Sequence, residues 1–221
     1  MVRKSGRLAW VAALAVLAGA AFAMWHHDGP KRQADPSTVA LVVDAEQLRR
    51  AQQMEALMSA KAPIGGGFAL VDYAGVRRTV SDFQGKVVVL YFGYTSCPDV
   101  CPADLFQISE LVRALGASGE QVQPVFITMD PERDTPERLR TYLSHFHPRF
   151  LGLTGSIDEI RGVADMYKGY FAKVPLQNSS NYMMDHSANI YLIDREGRFV
   201  GAFPPATKAS RLVEVVRQQL S

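Results

Sequence analysis

The chain has 221 residues, a formal net charge of +2 and a hydrophobic fraction of 48%. This length is enough for one domain of about 150 residues with terminal extensions. The folded part has neither a block rich in lysine and arginine nor aromatic residues interleaved with basic ones, so nucleic-acid binding has no support. The only two cysteines are too few for a scaffold held together by disulfides, and their close spacing indicates redox or metal chemistry.

The first 25 residues have the composition of a membrane-targeting segment. Three basic residues among the first seven precede an uncharged stretch from Leu8 to Trp25, and this predicts a transmembrane anchor or signal segment over residues 1–25. Ala21-Phe22-Ala23 favours cleavage, whereas tryptophans near both ends, Trp10 and Trp25, favour retention. The basic residues stay inside, so the rest of the chain is expected in a compartment where thiols tend to be oxidised.

Residues 26–62 are polar at first and then place apolar residues at helical spacing, so a partly helical tether is predicted there. His26 and His27 are either a metal-ligand pair or two histidines at the membrane interface. A globular domain is predicted over residues 63–221, beginning at Pro63 and the three glycines that follow it closely.

Strands and helices are predicted to alternate along this domain. In order they are a hairpin of residues 68–72 and 77–80, a buried strand over 87–92, a helix after Pro102, a buried strand over 121–129, a helix over 135–146, an edge strand over 151–154, a helix over 157–169, an irregular insertion over 170–185, a hairpin of residues 188–194 and 199–203, and a final helix over 207–220. This order is typical of the α/β thioredoxin-like fold. An insertion of this length is uncommon unless it is a lid, a binding surface or a flexible arm.

Cys97 and Cys101 lie where the first buried strand meets the helix that follows it. Each cysteine precedes a proline, and the α conformation is disfavoured before proline. We therefore expect Pro102 at the first helical position, Cys101 at the cap and Cys97 in the loop. Partly exposed thiols at the positive end of a helix dipole have a lowered pKa and favour the thiolate. The alternative is a pair of buried structural cysteines.

Two aspartates and a histidine follow or precede other strands of the predicted sheet. Asp134, with Glu137 three residues later, is expected to cap the next helix, although a role in the site stays open. Asp130 ends a buried strand, where a functional and a structural role are equally compatible with the sequence. His186 precedes the strand over residues 188–194, and this loop is expected to face the cysteines at one end of the sheet.

These motifs resemble the Sco/SenC family, membrane-tethered copper proteins involved in assembling cytochrome c oxidase. The resemblance covers about residues 63–221 and rests on three segments, Gly93 to Pro102, Asp130 to Asp134 and Asp185 to Ala188. It implies that Cys97, Cys101 and His186 bind one copper ion and that the insertion before His186 is mobile.

The resemblance also implies a partner and a location. Copper would be delivered to the dinuclear site in the copper-site subunit of cytochrome c oxidase, and other copper chaperones or thiol reductants are possible further partners. The protein would lie at the bacterial cytoplasmic membrane, held by a single N-terminal span, with its domain facing the periplasm.

The chemistry of the three side chains agrees with copper. Two thiolates and one imidazole suit Cu(I), and deprotonated sulfur also accommodates Cu(II). Zinc could use the same ligands with water in the fourth position. Met183 and Met184 offer additional soft sulfur atoms beside His186, but packing of the insertion is the favoured interpretation.

Three functions are therefore compared. The principal prediction is a copper metallochaperone that is not an enzyme in the usual sense. The second is a thiol-disulfide reductase that uses Cys97 and Cys101 as its redox pair, and the third is a redox or copper sensor. His186 discriminates between the first two, because tight copper binding needs it and dithiol exchange does not. Without copper, Cys97 and Cys101 are expected to form an intramolecular disulfide.

Overall fold

The computed structural model describes residues 64–221, except residues 178 and 180. The anchor predicted over residues 1–25 and the tether predicted over residues 26–62 lie outside the described residues. Within the part that the structure describes, no helix combines the length and the apolar character that crossing a membrane requires.

Nine strands, four α-helices and two short 3-10 helices make up the described residues. The strands are β1 (Ala69–Asp72), β2 (Arg77–Thr79), β3 (Val87–Gly93), β4 (Val122–Thr128), β5 (Leu151–Thr154), β6 (Phe171–Pro175), β7 (Tyr182–His186), β8 (Ile190–Ile193) and β9 (Phe199–Phe203). The α-helices are α1 (Val100–Ala114), α2 (Pro136–Ser144), α3 (Ile157–Met166) and α4 (Ala209–Leu220), and the 3-10 helices span Val80–Phe83 and Gly116–Gln121.

Seven strands form one mixed sheet in the order β2-β1-β5-β4-β3-β8-β9. Strands β3, β4 and β5 run parallel, and β1 and β8 join them antiparallel. Every residue of β3 is buried, as its continuous apolar run predicts for a central strand. Gly93 is paired with Thr128. The loops that follow β3 and β4 therefore leave the same edge of the sheet side by side.

The edge position predicted for residues 151–154 is wrong. Strand β5 has the predicted bounds, but it lies between β4 and β1. The N-terminal hairpin adds to its outer side, with Val71 opposite Thr154. Chain order did not show this pairing, because β1 precedes the rest of the sheet in the sequence and adds to the sheet from outside.

The irregular insertion predicted over residues 170–185 is instead an antiparallel hairpin. Strands β6 and β7 pair from Phe171 opposite His186 to Pro175 opposite Tyr182, and they form a two-stranded sheet of their own. His186 is thus the last residue of a strand rather than a loop residue. The short alternation of Tyr182, Met184 and His186 on one side of β7 was the available signal for this strand.

The predicted start of α1 is also wrong. The helix begins at Val100 with Asp99 at the N-cap position, so Cys101 is helical and Pro102 is the third helical residue. Proline is tolerated there because the N–H groups of the first helical turn have no acceptor within the helix. The consequence is that Cys101 points into the fold from a helix instead of sitting on its cap.

Candidate metal centre

The two cysteines are held on either side of the start of α1. The Cys97 N–H donates to the Tyr94 carbonyl at 3.2 Å, which folds the loop after β3 into a turn. The Cys101 N–H in turn donates to the Cys97 sulfur at 3.5 Å, so this sulfur lies at the helix N-terminus as predicted. Cys97 is 9% exposed and Cys101 is 0% exposed. The expected partial exposure is therefore wrong for Cys101.

The two sulfurs differ in how readily they lose a proton. A hydrogen bond from the Cys101 thiol lowers the pKa of Cys97 despite the opposing effect of burial, with further help from nearby backbone N–H groups. The same hydrogen bond, together with burial and the negative charge on Cys97, raises the pKa of Cys101. Cys97 is therefore the more acidic of the two thiols, and Cys101 must give up a proton before it can bind a metal ion.

His186 reaches the cysteines from the end of β7. Its Nε2 lies 3.6 Å from the Cys101 sulfur, and its Nδ1 lies 3.1 Å from the Ser187 carbonyl oxygen. A carbonyl oxygen only accepts, so Nδ1 carries the hydrogen and Nε2 presents a lone pair to the cysteines. The imidazole also packs edge-on against the Tyr94 ring, with 5.6 Å between ring centroids and an interplanar angle of 87°.

The ligand atoms of Cys97, Cys101 and His186 all lie within 4.8 Å of one another. No other cluster of three or more His, Cys, Asp and Glu side chains among the described residues has this compactness. The donor set is two soft sulfurs and one imidazole nitrogen that is already in the tautomer a metal needs. Such a set fits Cu(I) well and accommodates Cu(II) or zinc.

Residues 56–221 match the family model of SCO1/SenC proteins. This chain belongs to the SCO1/SenC family. It is 41% identical over 186 residues to the mitochondrial SCO2 homolog of Bos taurus. The aligned region covers 83% of this chain and 69% of that relative. It is 42% identical over 155 residues to an SCO2-like protein of Rickettsia felis, which covers 70% of this chain and 76% of that relative.

A solved structure, that of Bradyrhizobium japonicum ScoI with copper bound, has the same fold. It aligns with a TM-score of 0.65 and 44% identity over 71% of this chain and 99% of that one. The prediction of a Sco/SenC protein with an α/β thioredoxin-like fold is confirmed.

The two neighbouring methionines of β7 in this SCO1/SenC protein, Met183 and Met184, face opposite sides of the strand. Met184 is buried in the hydrophobic core, whereas Met183 is 38% exposed. They are neighbours in β7, and successive side chains of a strand face opposite sides. Met184 thus packs the hairpin as expected, and Met183 lies on the side of the strand away from His186.

Asp134 does not cap α2, and the capping prediction is wrong. The cap is Thr135, whose hydroxyl accepts from the Arg138 N–H at 3.2 Å. The Asp134 carboxylate instead accepts from the Thr95 N–H at 2.9 Å, the Thr95 hydroxyl at 2.5 Å and the Thr128 hydroxyl at 2.7 Å. Asp134 therefore fastens the cysteine loop to the end of β4.

Asp130 also lies outside the ligand group. It is 1% exposed and accepts hydrogen bonds from the Tyr182 hydroxyl at 2.7 Å and from the Arg133 guanidinium. Thr95 and Arg133 fall within the motif segments, but no contact was predicted for them or for Tyr182. The bonds from Thr95 to Asp134, from Arg133 to the Tyr182 carbonyl and from Tyr182 to Asp130 join residues 39 to 52 positions apart, and neither spacing nor periodicity connects positions that far apart.

Gly93 is required by the close approach of three side chains. A Cβ at this position would lie 2.9 Å from the Phe126 ring, 3.0 Å from the Cys101 sulfur and 3.0 Å from the Tyr91 ring. We expect Gly93→Ala to lower the free energy of unfolding by about 1 to 3 kcal/mol, because all three neighbours must move. Urea denaturation of the metal-free chain measures this change.

Gly162→Ala is the matched control for this substitution. Gly162 lies in α3, and an added Cβ would have no neighbour within 4 Å. Alanine there is expected to stabilise the helix by up to about 1 kcal/mol. Equal stability of Gly93→Ala and the unsubstituted chain would contradict the tight packing at the cysteine sulfur.

Proposed function

We propose that this protein binds one copper ion per chain through Cys97, Cys101 and His186 and acts in the assembly of cytochrome c oxidase by delivering that copper to the dinuclear copper site. The observation that carries the proposal is the convergence of two sulfurs and an imidazole Nε2 within 4.8 Å. The relative ScoI supports it, because its structure contains copper on the same fold.

Each of the three side chains supplies a different ligand atom to the copper ion. Cys97 offers the more acidic thiol, which loses its proton first, and Cys101 supplies the second sulfur after losing its own proton. His186 supplies a neutral nitrogen whose orientation is fixed by its bond to the Ser187 carbonyl. Two sulfurs satisfy Cu(I), and the added nitrogen extends the site to Cu(II).

The proposed partner is the copper-site subunit of the oxidase, and the proposed location is the periplasmic side of the bacterial cytoplasmic membrane, with residues 1–25 as the anchor. Thiols in that compartment are oxidised unless a reductant acts on them. Copper loading is therefore expected to depend on a thiol reductant or on another copper chaperone as a further partner.

A reductase function has less support. Thiolate attack on a substrate disulfide needs access as well as a low pKa, and Cys97 is only 9% exposed while Cys101 is fully buried. Dithiol exchange does not require the histidine that lies 3.6 Å from one of the sulfurs, whereas tight copper binding does. The geometry favours the metal carrier.

The proposal predicts that copper and a disulfide exclude each other. The reduced full-length chain is expected to bind one copper ion. After diamide takes two electrons and two protons from the two thiols, the chain is expected to bind none, because both sulfur ligands are lost to one S–S bond. Copper content is measured by elemental analysis after desalting, and thiols are counted in the same samples.

Because the chain has only two cysteines, the thiol count reports directly on the site. Reduction of the oxidised sample should restore binding, which serves as the control against damage. Stoichiometric copper on fully oxidised chains would place the metal elsewhere. The role in assembly is tested in cells that lack the protein, which should lose oxidase activity and regain it with the unsubstituted chain.

A further inference from the structure

The hairpin that carries His186 has no strand partner in the main sheet. Among the described residues, strands β6 and β7 pair only with each other, whereas the cysteines follow β3 in the middle of the seven-stranded sheet. No β-ladder therefore fixes the distance between His186 and the two sulfurs. Side-chain contacts between the hairpin and the body of the domain must do so.

One residue of β7, Tyr182, is held from several directions. Its hydroxyl donates to the buried carboxylate of Asp130 at 2.7 Å. Its carbonyl oxygen accepts from Nη1 of Arg133 at 2.8 Å. The Arg133 guanidinium carbon also lies 3.8 Å from the centroid of the Tyr182 ring, and Nε of the same side chain donates to Asp130. Asp130 thus binds the side chain of Tyr182, and Arg133 contacts both its side chain and its backbone.

A second contact between the hairpin and the turn after β4 is exposed. Lys173 pairs with Glu132 across side chains that are 41% and 62% exposed. Surface ion pairs of this kind contribute little to stability. The hydrogen bonds of Tyr182 are therefore the stronger contact with this turn, and they act together with the core packing of Phe171 and Met184.

Tyr182 and His186 lie on the same face of one strand. They are four positions apart, which corresponds to about 13 Å of extended chain, and every second residue of a strand faces the same side. Arg133 also lies near the His186 end of β7. Its guanidinium carbon is 5.8 Å from the centroid of the Tyr94 ring, against which the His186 imidazole packs.

We propose that Asp130, Arg133 and Tyr182 form a latch that sets the position of His186 over the cysteines. They are positioning residues and do not touch the metal. The proposal rests on the proposed copper function. It adds that the affinity for Cu(II), which requires the His186 nitrogen, depends on the contacts of Tyr182 at the opposite end of β7.

The test compares Tyr182→Phe and Arg133→Gln with Tyr167→Phe in the full-length chain. Tyr182→Phe removes only the hydroxyl bonded to Asp130, and Arg133→Gln removes the ring stacking and the bond to the Tyr182 carbonyl. Tyr167→Phe is the matched control, because it removes a tyrosine hydroxyl that donates to the Gly66 carbonyl at 3.1 Å rather than to the latch.

In the metal-free chain, amide hydrogen exchange of residues 182–186 should be at least about tenfold faster in both latch variants than in the control. With copper, the dissociation constant for Cu(II) should rise at least about tenfold, as for other groups that orient metal ligands. The constant for Cu(I), which two sulfurs can hold, should change less than about threefold.

Two results would overturn the latch. One is an unchanged exchange rate of residues 182–186 in both latch variants. The other is an equal weakening of Cu(I) and Cu(II), which would mean that the substitutions act on the cysteine loop and not through His186. If the unsubstituted chain bound no copper, the proposed function would fail, while the exchange rates of the metal-free chain would still decide the latch.

Discussion

Replacing His186 with alanine is expected to abolish Cu(II) binding while Cu(I) stays bound. The variant keeps two sulfurs, and two-coordinate Cu(I) is stable, whereas Cu(II) requires nitrogen and a larger ligand number. Loss of this ligand should weaken Cu(II) by more than the roughly 10- to 100-fold found for groups that only orient a ligand. Competition titrations with each oxidation state measure the two affinities separately.

Cys97→Ser is the comparison for this variant and should lose copper in both oxidation states, because one of the two sulfurs is gone. Disulfide reduction by the His186→Ala chain should stay within a few-fold of the unsubstituted rate, since thiolate attack depends on the pKa and access of the thiol. Unchanged Cu(II) affinity of His186→Ala, together with normal oxidase activity in cells carrying it, would overturn the metallochaperone function and leave the reductase.

Asp134→Ala is expected to lower the free energy of unfolding by about 3 to 5 kcal/mol. The carboxylate is 1% exposed and accepts three hydrogen bonds, two from Thr95 and one from Thr128. Alanine leaves all three donors without their acceptor, and each donor bonded to a charged group loses about 1.5 to 3 kcal/mol, partly recovered by water. Urea denaturation of the metal-free chain measures the loss.

Asp165→Ala controls for the removal of a negative charge. Asp165 is exposed near the end of α3, and its replacement should change stability by no more than about 0.5 kcal/mol. A similarly small change in Asp134→Ala would show that the cysteine loop is held by other contacts. Asp134→Asn, which retains one acceptor oxygen, should fall between the two.

Local sequence patterns predicted much of the metal site. A buried apolar strand that ends in a cysteine motif placed Cys97 and Cys101 at a strand-to-helix junction, and the fold placed His186 across from them. The structure brings these three residues together. Their assignment as ligands remains a prediction.

The errors have physical causes. The start of α1 was misplaced because a proline is accepted anywhere in the first helical turn, and not only at its first position. The hairpin of β6 and β7 was missed because its strands are short, and because the sequence between Pro175 and Tyr182 is rich in asparagine and serine. The roles of Asp130 and Asp134 depend on Tyr182 and Thr95, which no local pattern connects to them.

The hairpin that carries His186 and the loop that carries Cys97 are both bonded to the same short segment, residues 130–134. Asp130 holds the hairpin and Asp134 holds the cysteine loop, and the Asp134 N–H donates to the Asp130 carbonyl at 2.9 Å. The number of residues between Asp130 and Asp134 therefore helps to set the distance between the His186 imidazole and the cysteine sulfurs. A single inserted residue there would misalign the donors.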